Sequence, residues 1–293
     1  MTDVSVLTPS YGYGRFIADS IRSVLRQEGL RVQHVIQDAG SDDETIDVLR
    51  SFGERVDWAS EPDQGQSDGL NKALTKAQGR WVAWLNADEF YLPEGLSTLV
   101  REGERRGADV VYGDSIAVDR DGRLLDVRPQ HPFSSRILRH YGPFLNSVSV
   151  IIRRSILDEE PWDRSLRLVM DWDLYLSLAS KGASFQYVAY PVGAFRRHPD
   201  QASAQPRRSE TKDVRHRHQI PSSRWYRRGG TALHRLSKLA AGSYTRQARA
   251  RPFRGRDLRW FEEGDGDETF RRLLARCYGL RKDTEGSGWN RAR

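Results

Sequence analysis

The sequence predicts an α/β protein: a mostly parallel central sheet flanked by helices, followed by a basic, largely helical C-terminal extension. Three observations carry this. Short apolar runs alternate with helical periodicity through the first 190 residues. Glycines and a proline stand where helices should stop or start. The charge is split: residues 206–293 hold 23 Lys+Arg against 10 Asp+Glu, net +13, while residues 1–205 hold 24 against 30, net −6.

In chain order, Val4–Leu7 reads as a buried strand, and Ile17, Ile21, Val24 and Leu25 follow at helical spacing. Val32–Ile36 is a second strand, with a helix carrying Ile46, Leu49 and Phe52 after it. Val56–Ala59 is a third strand. The next helix, with Leu70, Ala73, Leu74 and Ala77, is expected to stop at Gly79. Trp81–Leu85 is a fourth strand, and Pro93 is expected at the first position of a helix carrying Leu96, Leu99 and Val100. A β-α-β-α order of this kind gives parallel strands covered by helices, with ligands bound at the strands' carboxyl ends. Farther on, Asp109–Asp114 and Ser147–Ile152 read as strands, and Asp119–Gly122 as a turn between strands. Asp171–Lys181 reads as a helix ending at Gly182, and Phe185–Val188 as another strand. Beyond Pro206 the chain is Arg-rich, with Leu233, Leu236, Leu239 and Ala240 spaced for an amphipathic helix.

Composition bounds the function. With 38% hydrophobic and 30% charged residues over 293 positions, the chain can bury a core without disulfide or metal staples. The single Cys277 has no intramolecular partner, and zinc-type Cys spacings are absent. No signal peptide and no apolar stretch of about 18 residues is read, so a cytoplasmic protein is expected.

Four polar clusters stand at predicted strand ends. Thr8-Pro9-Ser10-Tyr11 offers a ring that can stack on a flat base, or forms a plain turn. Asp38-Ala39-Gly40-Ser41-Asp42-Asp43 offers carboxylates for a ribose hydroxyl or base N–H, and also suits an Asx-turn with Asp42 or Asp43 capping the next helix. Asn86-Ala87-Asp88-Glu89 follows the most apolar strand, where a carboxylate is costly unless paired or bound to a cation. Mg²⁺ and Mn²⁺ take hard oxygen ligands, commonly one or two carboxylates plus substrate phosphates. A helix cap is the alternative there. In Met170-Asp171-Trp172-Asp173 the two carboxylates point to different sides of a helix, so one can face a cleft as a base while the other caps.

Taken together and in order, these segments resemble the family 2 glycosyltransferases of the GT-A fold. The resemblance covers roughly residues 3–205. Its most specific part is the run Ser60–Ala73 (Ser-Glu-Pro-Asp-Gln-Gly-Gln-Ser-Asp-Gly-Leu-Asn-Lys-Ala) followed by Trp84–Pro93. It implies inverting transfer of a sugar from a nucleotide-diphosphate donor, assisted by Mn²⁺ or Mg²⁺. It implies a catalytic domain over 1–205, with a nucleotide-sugar-binding half over about 1–112 and an acceptor half over about 113–205; 206–293 remain the extension. By position, Thr8, Pro9, Tyr11 and Asp38 would contact the nucleobase. Gln66, Asp68 and Lys72 would border the donor, with Asn86, Ala87 and Arg196 near its phosphates. Asp88 and His198 would hold the metal, and Asp171 would be the general base.

Two departures stand out. The family's Asp-x-Asp reads Asn86-Ala87-Asp88, with Glu89 as an added neighbouring charge, and its Glu-Asp pair reads Met170-Asp171, leaving Asp173 as the alternative base. These keep a second reading open, a catalytically silent protein that binds nucleotide-sugars or polyanions on the same fold. A nucleotidyltransferase is disfavoured, because no Gly-rich, Arg/Lys-bearing loop follows the first strand. The basic region admits packing on the acidic domain, or contact of residues 206–259 with an anionic membrane at the inner face of the plasma membrane. Nucleic acid is the least favoured partner. A carbohydrate or lipid-linked acceptor is expected.

Overall fold

A computed structural model describes residues 2–199, 201, 208–282 and 289–291. The expected 205/206 boundary, and Arg207 of the basic region, fall outside the described residues. Strand β1 (Val4–Ser10) lies between β2 (Val32–Asp38) and β4 (Trp81–Trp84), parallel to both, and β3 (Asp57–Ser60) extends the sheet beyond β2. The helices α1 (Gly14–Leu25), α2 (Thr45–Phe52) and α3 (Gln66–Thr75) make the crossovers. The chain thus runs outward from β1 to β3 and returns to the other side of β1. That reversal opens a crevice at the carboxyl ends of β1 and β4.

Beyond β4 the sheet becomes mixed. Its order is β3-β2-β1-β4-β8-β6-β9-β5, with β7 (Leu124–Arg128) beside the distal half of β6 (Val110–Val118). Strand β8 (Val150–Arg153) runs antiparallel to β4 and β6. Its amino end therefore meets the carboxyl end of β4 on one side and Tyr112 in the first half of β6 on the other, which brings the 143–149 segment beside the loop after β4.

Three element expectations shift. Helix α3 ends at Thr75, not at Gly79, because Lys76 and Ala77 close a tight last turn onto the carbonyls of Ala73 and Leu74. Gly79 has a different job: a Cβ there would sit 2.4 Å from the Ser5 amide nitrogen, so glycine lets the chain enter β4 pressed against β1. Helix α4 (Gly95–Arg106) starts two residues after Pro93. The preceding β5 (Phe90–Tyr91) pairs with β9 (Phe185–Arg196), and the Leu92 amide bonds the Val192 carbonyl, holding the chain extended. The first half of Ser147–Ile152 is a 3₁₀ turn, with the strand beginning at Val150.

The second part of the chain adds α5 (Ser135–His140), α6 (Met170–Ser180), α7 (Arg208–Arg217), α8 (Arg224–Ala240), α9 (Ser243–Ala250) and α10 (Gly266–Tyr278), then a small hairpin, β10 (Leu280–Lys282) with β11 (Trp289–Arg291). The basic region is not a loose tail. Phe261, Phe270, Leu273, Leu274 and Cys277 share one apolar cluster with Phe90, Ile116, Val118, Val127 and Ala194 of the sheet. Phe261 meets Phe90 edge to face at 5.4 Å, and the Trp260 indole N–H donates to the Tyr91 carbonyl at 2.8 Å. Burial raises the Cys277 thiol to about 11, so it stays protonated as a packing residue.

Candidate active site

A cleft of about 1190 Å³ opens along the gathered strand ends. Pro9, Ser10 and Tyr11 at the end of β1 form one part of its wall, and Tyr11 stands 63% exposed, open to stacking. Thr8 lies beneath, fully buried, with its hydroxyl 2.8 Å from His34 Nε2. Burial holds the His34 pKa down to about 3, so this imidazole is a neutral strut under the floor.

Asp38 at the end of β2 is also buried. Its Oδ2 accepts from the amides of Gly40 (3.0 Å) and Ser41 (2.9 Å) and from the Ser60 hydroxyl (2.7 Å), and its Oδ1 accepts from the Ser41 hydroxyl (2.5 Å). This carboxylate shapes the loop that brings Ala39 to the cleft. Asp43 takes the turn role, accepting from the amides of Thr45 and Gly14 and so tying the starts of α2 and α1 together.

Asn86, Ala87 and Asp88 at the end of β4 all line the cleft. The Asn86 amide oxygen accepts from Gln66 Nε2 (2.5 Å) and from the Trp84 indole N–H (2.8 Å). Both its lone pairs are engaged, so Asn86 acts as a pivot between β4 and α3. Glu89 is not a second charge in the cleft. It is buried away from it, its Oε1 has no hydrogen-bond partner among the described residues, and burial together with the neighbouring Asp88 raises its pKa well above the carboxylate range.

That leaves Asp88 as the carboxylate of this loop at the cleft surface. His198 Nε2 lies 3.0 Å from its Oδ2. Arg196, expected near phosphate, is buried, and the lining of the cleft does not include it. Its Nε donates to the Asp88 carbonyl (2.8 Å), and its Nη atoms reach the Arg120 carbonyl (2.5 Å) and Asp19 (2.6 Å). Arg196 therefore clamps the Asp88 backbone to α1 and to the 119–122 turn, behind the cleft and outside its lining.

On α3, Gln66 lines the cleft, but Asp68 and Lys72 do not. Asp68 accepts from the Gln64 amide (2.9 Å) and pairs with Arg164 (3.1 Å), fixing the turn before α3. Lys72 pairs with Glu61 (3.2 Å) and the Pro62 carbonyl (2.9 Å). Their roles are to brace the 61–66 loop.

The far wall is built by residues 143–147 and 164–171. Asp171, in the first turn of α6, lines it, and its Oδ1 accepts from the Trp172 amide at 2.7 Å. Asp173 is turned away: it is bonded by Arg217 (2.8 Å) and by His218 Nε2 (2.8 Å) at the end of α7. The geometry thus separates the two carboxylates as their spacing implied. The turn before Asp171 is held from α7 as well, where one Glu210 oxygen accepts from the amides of Arg167 (3.1 Å), Leu168 (2.7 Å) and Val169 (3.3 Å).

Arg128, Arg164 and Arg167 line the same cleft as the carboxylates Asp63, Asp88 and Asp171. Sequence reasoning missed these arginines. They lie outside any strand-end motif, at the end of β7 and in an irregular loop, and no periodic signal marks such positions.

Among the described residues, no group of three or more His, Cys, Asp or Glu side chains could hold a metal ion. Asp88 offers one hard oxygen at the cleft, and His198, buried behind it and outside the lining, brings one imidazole nitrogen to within 3.0 Å of that carboxylate. That pair fits a divalent cation whose remaining ligands are substrate phosphates and water.

A family model described as glycosyl transferase family 2 matches residues 5–159. The chain belongs to glycosyl transferase family 2. It is 29% identical over 188 residues to the putative teichuronic acid biosynthesis glycosyltransferase TuaG of Bacillus subtilis, covering 61% of this chain and 73% of that one. An uncharacterized glycosyltransferase of Rickettsia prowazekii is 24% identical over 181 residues, and chondroitin synthase of Escherichia coli 25% over 183. The aligned regions span 57% and 27% of those relatives' lengths. Among solved structures, Staphylococcus aureus TarS 1–349 in complex with UDP-GlcNAc superposes with a TM-score of 0.62 at 14% identity, over 94% of this chain and 81% of that one. Glucosyl-3-phosphoglycerate synthase of Mycobacterium tuberculosis, solved with Mn²⁺, UDP and glucosyl-3-phosphoglycerate, gives 0.53 at 19% identity, over 76% and 82%. The GT-A fold expected from the strand-end motifs is therefore the fold of this chain.

Proposed function

We propose that this family 2 member transfers a sugar from a nucleoside-diphosphate-sugar to an acceptor hydroxyl with inversion at the anomeric carbon. The observation that carries the reading is one cleft lined by both Asp88, backed by His198, and Asp171, together with Arg128, Arg164 and Arg167. Tyr11 would stack on the base, with Pro9 and Ala39 beside it. Arg128 and Arg167, in place of Arg196, would donate to the diphosphate. Asp171 would accept the acceptor's hydroxyl proton as its oxygen forms the new bond to the anomeric carbon and the bond to the diphosphate oxygen breaks, its electron pair leaving on the nucleoside diphosphate. Asp88 and His198 are the side chains that would hold Mn²⁺ or Mg²⁺, which when bound supplies neutralisation of the leaving diphosphate. The structures solved with UDP-GlcNAc and with Mn²⁺ and UDP support this donor and metal class.

The test is nucleoside-diphosphate release from a panel of UDP- and GDP-sugars with Mn²⁺. Release by the native protein, lost in Asp171→Asn while donor binding persists, is the expected result. Binding without release from any donor would favour the silent-binder reading. Normal release by Asp171→Asn together with an inactive Asp173→Asn would transfer the base role to Asp173.

A further inference from the structure

Among the described residues, five of the nine exposed large apolar side chains lie within residues 225–244: Trp225 (79% exposed), Tyr226, Leu236 (62%), Leu239 (65%) and Tyr244. On α8, Trp225, Ala232, Leu236 and Leu239 recur at helical spacing and form one outward stripe. The opposite face carries the buried Gly230 and His234. A Cβ on Gly230 would sit 2.6 Å from the α5 backbone at His140 and Tyr141, so the helix is pressed onto α5 and its orientation is fixed. His234 stacks on Tyr141 at 4.0 Å and meets His131 at 2.9 Å, both on that inner side.

Arg224, Arg228 and Arg235 run along one flank of the exposed stripe, all exposed, with Arg228 lying 5.8 Å over the Trp225 ring. Tyr226 edges the other flank. A rigid helix with an outward Trp/Leu stripe, an arginine border and an aromatic edge suits a surface that is apolar within and anionic at its rim. A nucleic acid would use the arginines and the tryptophan but leave Leu236 and Leu239 in water.

We propose that α8 docks on an anionic lipid bilayer, inserting Trp225, Leu236 and Leu239 among the headgroups and acyl boundary and setting Arg224, Arg228 and Arg235 against lipid phosphates. Helix α5, on which α8 rests, leads directly into the 143–147 wall of the cleft. Docking therefore brings that wall to the bilayer, and the acceptor class this selects, a lipid-linked one, rests on the glycosyl-transfer reading.

The experiment is flotation of the full chain with vesicles of phosphatidylcholine, alone or mixed with phosphatidylglycerol. The expected result is flotation with the mixed vesicles only, weakened by high salt. Leu236→Ser combined with Leu239→Ser should weaken partitioning at least about ten-fold. Arg228→Gln and Arg235→Gln should each weaken it about five-fold. These side chains face solvent, so the thermal midpoint should stay unchanged, which separates lost docking from lost folding. Equal flotation of native and variant protein would overturn the proposal, as would no flotation at all. So would a dimer dissolved by the double Leu variant without vesicle binding, or capture by a single-stranded oligonucleotide in place of vesicles. Flotation requires no turnover, so its failure leaves the nucleotide-release test standing.

Discussion

The two walls of the cleft are held by different means. On the wall at the ends of β1, β2 and β4, Asp38 is locked by Gly40, Ser41 and Ser60, and Asn86 by Trp84 and Gln66, all neighbours in the same βα units. On the opposite wall, the turn leading to Asp171 hangs from Glu210, and Asp173 is fixed by Arg217 and His218. Around Asp38 and Asn86 the first wall is assembled within the βα units, and only its Asp88 is held from afar, by Arg196 and His198; the second wall hangs on a segment about 40 residues downstream, across a sequence boundary in charge. The basic region is thus part of what shapes the cleft, while Arg224, Arg228 and Arg235 stay exposed on α8.

This contrast can be broken at four points. Asp171→Asn should have the largest effect, lowering turnover by about 10² to 10⁴ with donor affinity retained, read from steady-state nucleoside-diphosphate release. An unchanged rate would remove the second wall from the chemistry. Phe261→Ala should destabilise the protein by about 3–5 kcal/mol in denaturant unfolding, with one transition lost as a whole, because Phe261 joins the extension to the sheet's own core. A separate early transition would mean that the extension is an independent unit.

Asp114 gives the third. It is fully buried between Gln130, Tyr187, Tyr278 and Arg246, and burial, opposed by Arg246, raises its pKa to about 6. The folded state therefore holds the proton more tightly than the unfolded chain. Stability from this group is complete below about pH 4 and is lost as pH rises through about 6, a change of about 3 kcal/mol. The native protein should lose stability relative to Asp114→Asn across that window, and parallel pH curves would contradict the assignment. The smallest effect is expected at Glu210. Glu210→Ala should lower kcat up to about 10²-fold, with donor KM unchanged and stability reduced by about 1–3 kcal/mol, by freeing three amides ahead of Asp171. Glu210→Gln keeps an accepting oxygen and should restore most of kcat, an outcome that a purely structural loss would not give.

How far the sequence revealed the molecule follows the same division. The first four strands, their helices and the strand-end loops were legible because apolar period, turn chemistry and motif all lie within short stretches. Boundaries slipped where long-range pairing intervened, as when β5 bonding to β9 delayed α4 past Pro93. Among site residues, Tyr11, Asn86, Asp88 and Asp171 do line the cleft. Arg196, Asp68 and Lys72 instead brace the loops behind it, because buried or paired side chains satisfy their hydrogen bonds within the protein. The direction in which such a side chain points depends on partners as distant as Asp19 and Arg196, which spacing does not encode. Arg128, Arg164, Arg167 and Glu210 sit in or reach irregular loops and left no pattern to read.

The proposed function turns on Asp88, which with His198 would hold the divalent cation that binds the donor diphosphate. Titrating UDP and GDP into the native protein and Asp88→Asn, each with Mn²⁺ and with excess chelator, tests it most directly. One nucleotide should bind the native protein with Mn²⁺ and lose at least about ten-fold in affinity both in chelator and in the variant. Equal affinity in all four conditions would contradict it.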